Sequence, residues 1–283
     1  MNKEDFPYIY QSADSLSLKA QKHFFRVLFF HLLFLVIGAL LSFIDNTWAV
    51  IFQSIILLLA LGCSVYLFWQ RPDKNWYAGR AVAESIKTLT WRYICRAEPF
   101  CIEDNKDKSE FRNKLKQILE QNKQISQKLI GELNCSIITD KMEEIRSYSL
   151  KKRIDYYRKN RIKEQLTWYH KKANFNKKMA KLFFWLLIIF NALSLILSIL
   201  NITCHNILPT DLTIAIASGI LTWIQAKRFT ELSASYSLTA HEISFINEQS
   251  EAFNDDDLFS SFVGDAENAF SREHTQWIAR RDV

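Results

Sequence analysis

The chain has 283 residues, of which 49% are hydrophobic and 23% are charged, and its formal net charge is +6. Only six Gly and four Pro occur, which argues against a turn-rich sheet protein and favours long helices. The five cysteines are an odd number, and they lie in or beside apolar blocks or in polar segments that are expected in the cytoplasm, so we interpret them as reduced thiols. They include no CxxC pair, and their spacings predict no zinc site. The distribution of the apolar residues then decides the class.

Two apolar blocks near the beginning of the chain, residues 24–44 and 48–69, predict the first pair of membrane spans. From Val27 to Gln70 the only charged residue is Asp45. An apolar helix of about 20 residues crosses a hydrocarbon core of ~30 Å. A buried hairpin of a soluble protein is the alternative, but charge-free apolar stretches of this length are typical of membrane helices.

Residues 71–181 predict a central segment of helices outside the membrane. Arg71-Pro72-Asp73 is expected to interrupt the second span, and helix is expected again over 76–93. Apolar residues at helical spacing predict another helix over 109–133. Asp140, with a glutamate three residues later, fits a helix N-cap, and from there one helix is expected to continue into the third span.

Two later apolar blocks, residues 182–203 and 207–226, predict the second pair of spans, and the fourth span is the weakest because it contains Asp211. The connectors within each pair carry no Lys or Arg, whereas basic residues flank the opposite span ends. Since cytoplasmic loops hold the positive excess, both termini and the central segment are expected in the cytoplasm. The predicted fold is an all-α membrane protein with two transmembrane hairpins, four spans in total, and long cytoplasmic helices.

A basic segment, residues 151–181, precedes the third span and holds twelve Lys and Arg, opposed only by Asp155 and Glu164. Tyrosines and a tryptophan are interleaved with them. Basic groups neutralise phosphates, and aromatic faces stack on single-stranded bases. The residues predicted here to bind a nucleotide or oligonucleotide are Lys151, Lys152, Arg153, Arg158, Lys159, Arg161 and Lys163.

The positive charge of this basic segment is also compatible with simple flanking of the third span and with attraction to anionic lipid headgroups. Arg153 would lie ~45 Å from Leu182 along a straight helix, which favours a soluble anionic ligand for the distant residues. Lys87, Trp91 and Arg92 form a second basic and aromatic group. They are expected either to line a nucleotide pocket or to pack at the headgroup level.

Four polar residues of the third span, Asn191, Ser194, Ser198 and Asn201, share one helical stripe. They face either water in a pore or neighbouring helices, and the sequence favours neither interpretation. Asp211 lies near the outer end of the fourth span. It would either begin a helix, where its charge complements the helix dipole, or form a ring of carboxylates at a pore mouth. The first interpretation is favoured.

His31 and Gln53 are single polar residues in the first two spans, and we interpret them as groups that hydrogen-bond between helices. The sequence contains no P-loop, GxGxxG, GxSxG or HExxH motif. It therefore predicts no catalytic residue, no metal site and no cofactor, and a protein that is not an enzyme.

Several stretches resemble SLATT-type proteins. A first SLATT-type unit is similar to two stretches of this chain, Trp76–Tyr93, which reads WYAGRAVAESIKTLTWRY, and Glu98–Phe100. A second SLATT-type unit is similar to three later stretches, Trp168–Ala173, Arg228–Tyr236 and Glu267–Trp277. SLATT domains are two-span effector modules found beside bacterial nucleotide-signalling and defence enzymes.

The resemblance divides the chain into a first SLATT-like hairpin unit (1–103), a helical connector (104–140) and a second unit with C-terminal cytoplasmic helices (141–283). It implies an oligomeric ion channel, taken here as a homotetramer, in the bacterial inner membrane and acting in antiviral defence. A partner nucleotidyltransferase would make the nucleotide or oligonucleotide that gates the pore, and opening would depolarise the membrane and arrest growth. The alternative is a non-conducting membrane-disrupting or scaffold protein that binds anionic lipid or a protein partner.

Overall fold

The computed structural model describes residues 1–101, 104–129, 136–204, 208–250 and 253–281, with the backbone alone for 203–204 and 272–281. Within these ranges the chain is helical and forms no strand. The α-helices are α1 (Tyr8–Leu41), α2 (Thr47–Gln70), α3 (Pro72–Ile94), α4 (Asp104–Gln121), α5 (Lys123–Ser126), α6 (Asp140–Arg146), α7 (Leu150–Tyr157), α8 (Lys163–Cys204), α9 (Thr210–Lys227), α10 (Phe229–Gln249) and α11 (Asp256–Arg281).

Polar side chains join α1 to α2 as an antiparallel hairpin. His31 Nδ1 lies 3.0 Å from the carbonyl oxygen of Ala60, and Gln53 Nε2 donates to the carbonyl oxygen of Gly38 at 3.0 Å. A Cβ atom at Gly38 would lie 3.0 Å from Leu57 Cδ2, so the two helices come close at this glycine. The interhelical role predicted for the two polar residues is confirmed.

Three helical stretches are long and apolar enough to cross a membrane, namely Tyr8–Leu41, Thr47–Ile94 and Leu150–Ile202. Their most apolar windows are only 11%, 6% and 0% buried. Large side chains therefore face outward, as Phe68 does with 80% of its surface exposed. Soluble monomers rarely expose continuous apolar surfaces of this extent, so these helices require an apolar surrounding. α9 is not among the three stretches, and the fourth span stays a prediction.

One compact unit is formed by Lys22–Arg71 and Lys171–Tyr236, and it contains both predicted hairpins. Phe25 of α1 meets Trp223 of α9 edge to face, with ring centroids 5.8 Å apart. Lys227 Nζ lies 3.3 Å from the centroid of the same Phe25 ring. The two hairpins are therefore packed against each other within this unit.

The remaining described residues form the other compact unit, in which α3 is the central helix. Its core is aromatic, with the Tyr93 ring centroid 4.8 Å from that of Phe111 and 5.6 Å from that of Phe100. The beginning of α1 packs on α3 at Gly79, where a Cβ atom would lie 3.3 Å from the carbonyl oxygen of Ala13. α11 packs along α3 as well.

The same turn follows α2 and α9. Arg71 and Arg228 both adopt the left-handed conformation, with φ of 42° and 53°. Each donates its backbone N–H to the carbonyl of the residue four positions earlier, and a further helix begins one residue later. Non-glycine residues adopt positive φ only rarely, so this shared turn supports two copies of one hairpin unit.

Two predicted boundaries in the middle of the chain differ from the structure. α3 begins at Pro72 rather than near residue 76, because proline is well suited to the first helical position and only Arg71 departs from helix. The helix expected over 109–133 begins earlier, at Asp104, and ends at Gln121. Residues 130–133 lie outside the described residues.

Asp140, which the sequence predicts as an N-cap, is instead the first residue of α6. Thr139 is the N-cap, and its Oγ1 accepts a hydrogen bond from the Met142 backbone N at 3.3 Å. The expectation of one continuous helix from this point is wrong, since α6 ends at Arg146 and the next helix begins at Leu150.

Candidate functional site

The predicted basic segment presents only part of its cations to solvent. Lys151, Lys152, Lys159 and Lys163 are exposed and lie on one side of the helical path, and we call them the lysine face. Lys152 Nζ also lies 3.6 Å from the centroid of the Tyr148 ring, which holds this cation in a cation–π contact. The lysine face is therefore an accessible cationic surface, whereas Arg158 is half-buried.

Arg153 is buried, and its guanidinium is occupied by protein groups. Its Nη1 donates to the carbonyl oxygen of Cys95 at 2.8 Å, and its Nη2 lies 2.6 Å from Asp256 Oδ1. Its Nε donates to the Tyr148 carbonyl at 3.1 Å. These contacts join α7 to the segment after α3 and to the beginning of α11, so Arg153 serves packing in this structure.

Arg161 forms a buried, bidentate ion pair with Glu267 of α11. Its Nε and Nη2 donate to the two carboxylate oxygens at 2.8 and 2.7 Å, and the two residues are 2% and 0% exposed. Tyr157 donates to Glu267 Oε1 at 2.9 Å. Burial, followed by the charge of Glu267, raises the pKa of Tyr157 well above 10.0, so this phenol stays protonated. Burial alone would lower the pKa of Arg161, but Glu267 raises it.

A π-helical segment, Arg158–Ile162, connects α7 to α8 and includes Arg161. The wider turn places Arg161 and Ile162 in the core, while the preceding Lys159 stays exposed. Single π-helical turns inside α-helices occur frequently at functional sites. The segment therefore marks this point of the chain as a candidate site.

The structure brings the two predicted basic and aromatic groups together. Arg161 Cζ lies 6.0 Å from the centroid of the Trp91 ring, although the two residues are far apart in the sequence. Lys87 precedes Trp91 by one helical turn on α3 and is partly buried. Burial lowers the pKa of Lys87, Glu84 opposes this change, and the charge of Arg161 adds to it. We call Lys87, Trp91 and Arg161 the donor cluster.

Arg92 points to a different partner. Its Nη2 donates to the Gly264 carbonyl at 3.1 Å and to Asn268 Oδ1 at 2.7 Å, both on α11. Together with the Arg161–Glu267 pair, these bonds hold α11 against α3. Arg92 thus lies beside the donor cluster and stabilises the helix that covers it.

Arg146 is a buried cation that the sequence did not single out, and it is 3% exposed. Its guanidinium donates to the carbonyl oxygens of Tyr93 and Phe100 and pairs with Asp107, and its Nε lies 3.2 Å from Asp104 Oδ1. The available signal was its position, because it follows two apolar residues of α6 at the spacing of one buried face.

The polar stripe of the third span divides into two halves. Ser194 Oγ donates to Thr213 Oγ1 at 2.8 Å, and Asn201 Oδ1 accepts from the backbone N of Leu208 at 2.8 Å. Asn191 and Ser198 are exposed instead. Ser194 and Asn201 therefore serve helix packing. Asn191 and Ser198 are open to another subunit or to water.

Asp211 lies in the first turn of α9 and is exposed. A carboxylate there complements the partial positive charge of the helix N-terminus. This placement is the helix-start position favoured by the sequence. The carboxylate ring at a pore mouth stays a prediction, because it depends on an assembly of several chains.

The outward-facing apolar helices and the all-helical architecture of the described residues define the class, a helical membrane protein. The SMODS and SLOG-associating 2TM effector domain 3 matches residues 7–154, and domain 1 of the same series matches residues 157–277. The chain therefore belongs to the SLATT family and carries two SLATT domains in tandem, as predicted. No curated protein and no solved structure matches the chain.

Membership in this family suggests a membrane effector of antiphage defence. SLATT effector domains are not known as enzymes. The division of the chain at residues 103 and 140 stays a prediction.

Proposed function

We propose that this protein is an oligomeric ion channel of antiphage defence, controlled by a nucleotide or oligonucleotide that binds its basic helices. Four spans per chain cross the bacterial inner membrane, and both termini lie in the cytoplasm. Four chains surround one pore, since closed symmetric assemblies are the usual form of homo-oligomers. A partner nucleotidyltransferase makes the ligand, and the open pore depolarises the membrane and stops growth.

One observation carries this proposal, the continuity of α8 from Lys163 to Cys204. The lysine face ends where this helix begins, and the polar stripe of the third span lies on the same helix. An anion bound at the lysine face would therefore act on an element that also contains the candidate pore residues. Two tandem two-span effector domains are consistent with such a chain.

The lysine face has the chemistry that a phosphate ligand requires. Its four exposed cations attract phosphates, and the attraction weakens as salt screens it. The sequence also assigns Arg153 and Arg161 to this surface. Their guanidinium groups pair with Asp256 and Glu267, so they do not add to its exposed positive charge.

The exposed half of the polar stripe gives the pore its lining. Asn191 and Ser198 are exposed on a part of the helix whose outward residues are otherwise apolar. Asn191 Nδ2 donates to the Leu187 carbonyl at 2.8 Å within the helix, but lipid would offer no partner to the Asn191 side-chain oxygen or to the Ser198 hydroxyl. In an oligomer in which both residues face a common axis, water in the pore is their hydrogen-bond partner. Ser194 and Asn201 stay on the packing side.

The test is ion flux through the purified protein in liposomes, with and without cyclic nucleotides and short single-stranded oligonucleotides. We expect one of these compounds to change the flux. We expect Lys159→Ala with Lys163→Ala to weaken that response several-fold, while the matched pair Lys116→Ala with Lys123→Ala, exposed on α4 and α5, keeps it. Absence of flux under every condition would favour a scaffold protein that binds anionic lipid or a protein partner.

A further inference from the structure

The donor cluster contains buried hydrogen-bond donors with no acceptor. Trp91 is 1% exposed and Arg161 is 2% exposed. Trp91 Nε1 and Arg161 Nη1 find no hydrogen-bond partner in the part of the chain that the structure describes. Buried polar groups are almost always paired, so two such donors in one place require an explanation.

The ion pair with Glu267 leaves one edge of the guanidinium unused. Glu267 occupies the Nε and Nη2 edge of Arg161, and Tyr157 completes its coordination. Nη1 carries two further N–H groups, and a guanidinium can only donate hydrogen bonds and cannot accept them. The missing partner must therefore be an acceptor.

The charges around the cluster favour an anion as that acceptor. Lys87 makes no hydrogen bond or ion pair with the described residues, and it lies near enough to Arg161 for the two cations to repel. Glu84 pairs with Arg80 at 2.9 Å on the same helix, and its charge also acts on both Lys87 and Arg161, while Glu164 is exposed. Arg80, Lys87 and Arg161 together still carry one positive charge more than Glu84 and Glu267 balance. An anion between Lys87 and Arg161 would relieve the repulsion and satisfy both orphan donors.

We propose that the donor cluster binds one phosphate group, with Trp91 Nε1–H and Arg161 Nη1–H donating to its oxygens and Lys87 neutralising its charge. This site is distinct from the lysine face, which is exposed and binds through charge alone. The inference rests on the proposed function for the source of the phosphate, a nucleotide. A lipid headgroup offers the same chemistry, and the arms of the experiment separate the two sources.

The experiment follows the indole N–H signals of the full-length protein, labelled with 15N-tryptophan, in detergent micelles. The chain has eight tryptophans, and Trp91→Phe identifies the signal of Trp91 while keeping an aromatic ring in the core. Inorganic phosphate is titrated against sodium chloride of equal ionic strength. We expect the Trp91 signal to shift saturably with phosphate and to stay in place with chloride.

Variants establish which cation holds the phosphate. Lys87→Gln should weaken phosphate binding about tenfold or more, because it removes a charge-assisted contact. Lys116→Ala, on an exposed lysine of α4, should leave the binding unchanged. An unmoved Trp91 signal, or an equal response to chloride, would overturn the proposal and leave a buried water as the acceptor.

The source of the phosphate is tested with the same signal. Adenosine nucleotides are compared with bicelles that contain phosphatidylglycerol, and a response to the bicelles alone would assign the site to lipid and overturn the nucleotide source. If phosphate binds at Trp91 but no nucleotide changes ion flux, the gating proposal fails and the anion site stands. If nucleotides change flux while Trp91 stays silent, the anion site is wrong.

Discussion

Replacing Glu267 by Gln removes the negative charge that balances the buried Arg161. The pair is bidentate, with contacts of 2.8 and 2.7 Å, and its members are 2% and 0% exposed. Glutamine also turns an N–H group toward one of the guanidinium donors. Breaking one partner of a buried ion pair costs ~3–5 kcal/mol. Each kcal/mol lost from the free energy of unfolding lowers the melting temperature by ~2–4 °C in a chain of this order of size. The melting temperature is therefore expected to fall by ~6–20 °C.

The assay is thermal unfolding of the purified protein in detergent, compared with Glu164→Gln. Glu164 is an exposed carboxylate one residue after the beginning of α8, so its loss should change stability by less than ~0.5 kcal/mol. The double variant Arg161→Leu with Glu267→Leu should recover much of the loss, because no isolated charge is left buried. A Glu267→Gln protein as stable as the Glu164→Gln control would refute the reasoning.

Further predictions concern the remaining buried cations and the pore. Asp107→Asn should lower the stability by ~1.5–3 kcal/mol in the same thermal assay, because Arg146 loses a charged acceptor but keeps backbone carbonyls. Lys87→Met should stabilise the protein most near neutral pH. Burial lowers the pKa of Lys87 from its ordinary value of 10.5. As the pH rises toward 10.5, the unfolded chain binds this proton more than the folded protein does, so the wild type gains stability. Melting curves across pH should therefore show the advantage of the variant shrinking. Asn191→Leu with Ser198→Leu should reduce the conductance in lipid bilayers without loss of folded protein, and unchanged conductance would remove these residues from the pore lining.

The membrane character of the chain could be predicted because it depends on local composition. Charge-free apolar stretches identify spans wherever they occur, and three of the resulting helices have the length and hydropathy of membrane helices. The interhelical hydrogen bonds of His31 and Gln53 could be predicted as well, since an isolated polar group in an apolar helix has few possible partners besides a neighbouring helix.

The division of the basic segment could not be predicted. Arg153 and Arg161 have the same local surroundings as the lysines of the lysine face, but their partners Asp256 and Glu267 lie 103 and 106 residues away. Only the packing of α11 against α3 decides which cations are buried. The π-helical turn at Arg158–Ile162, which has no reliable sequence signal, turns Arg161 inward.

The packing of the polar stripe of the third span could not be predicted either. Helical spacing correctly places Asn191, Ser194, Ser198 and Asn201 near one face, but it cannot tell which side of that face meets α9. The contact of Ser194 with Thr213 settles this, and it depends on how the second hairpin folds back.

The most direct test of a ligand-gated channel is single-channel recording in planar bilayers, with nucleotides or short oligonucleotides added to one side. We expect current steps of fixed amplitude whose frequency changes with one of these compounds. We also expect Lys159→Ala with Lys163→Ala to weaken this response without changing the step amplitude. Irregular leakage without fixed steps would contradict a channel and indicate membrane disruption, and a silent bilayer under all conditions would indicate a scaffold.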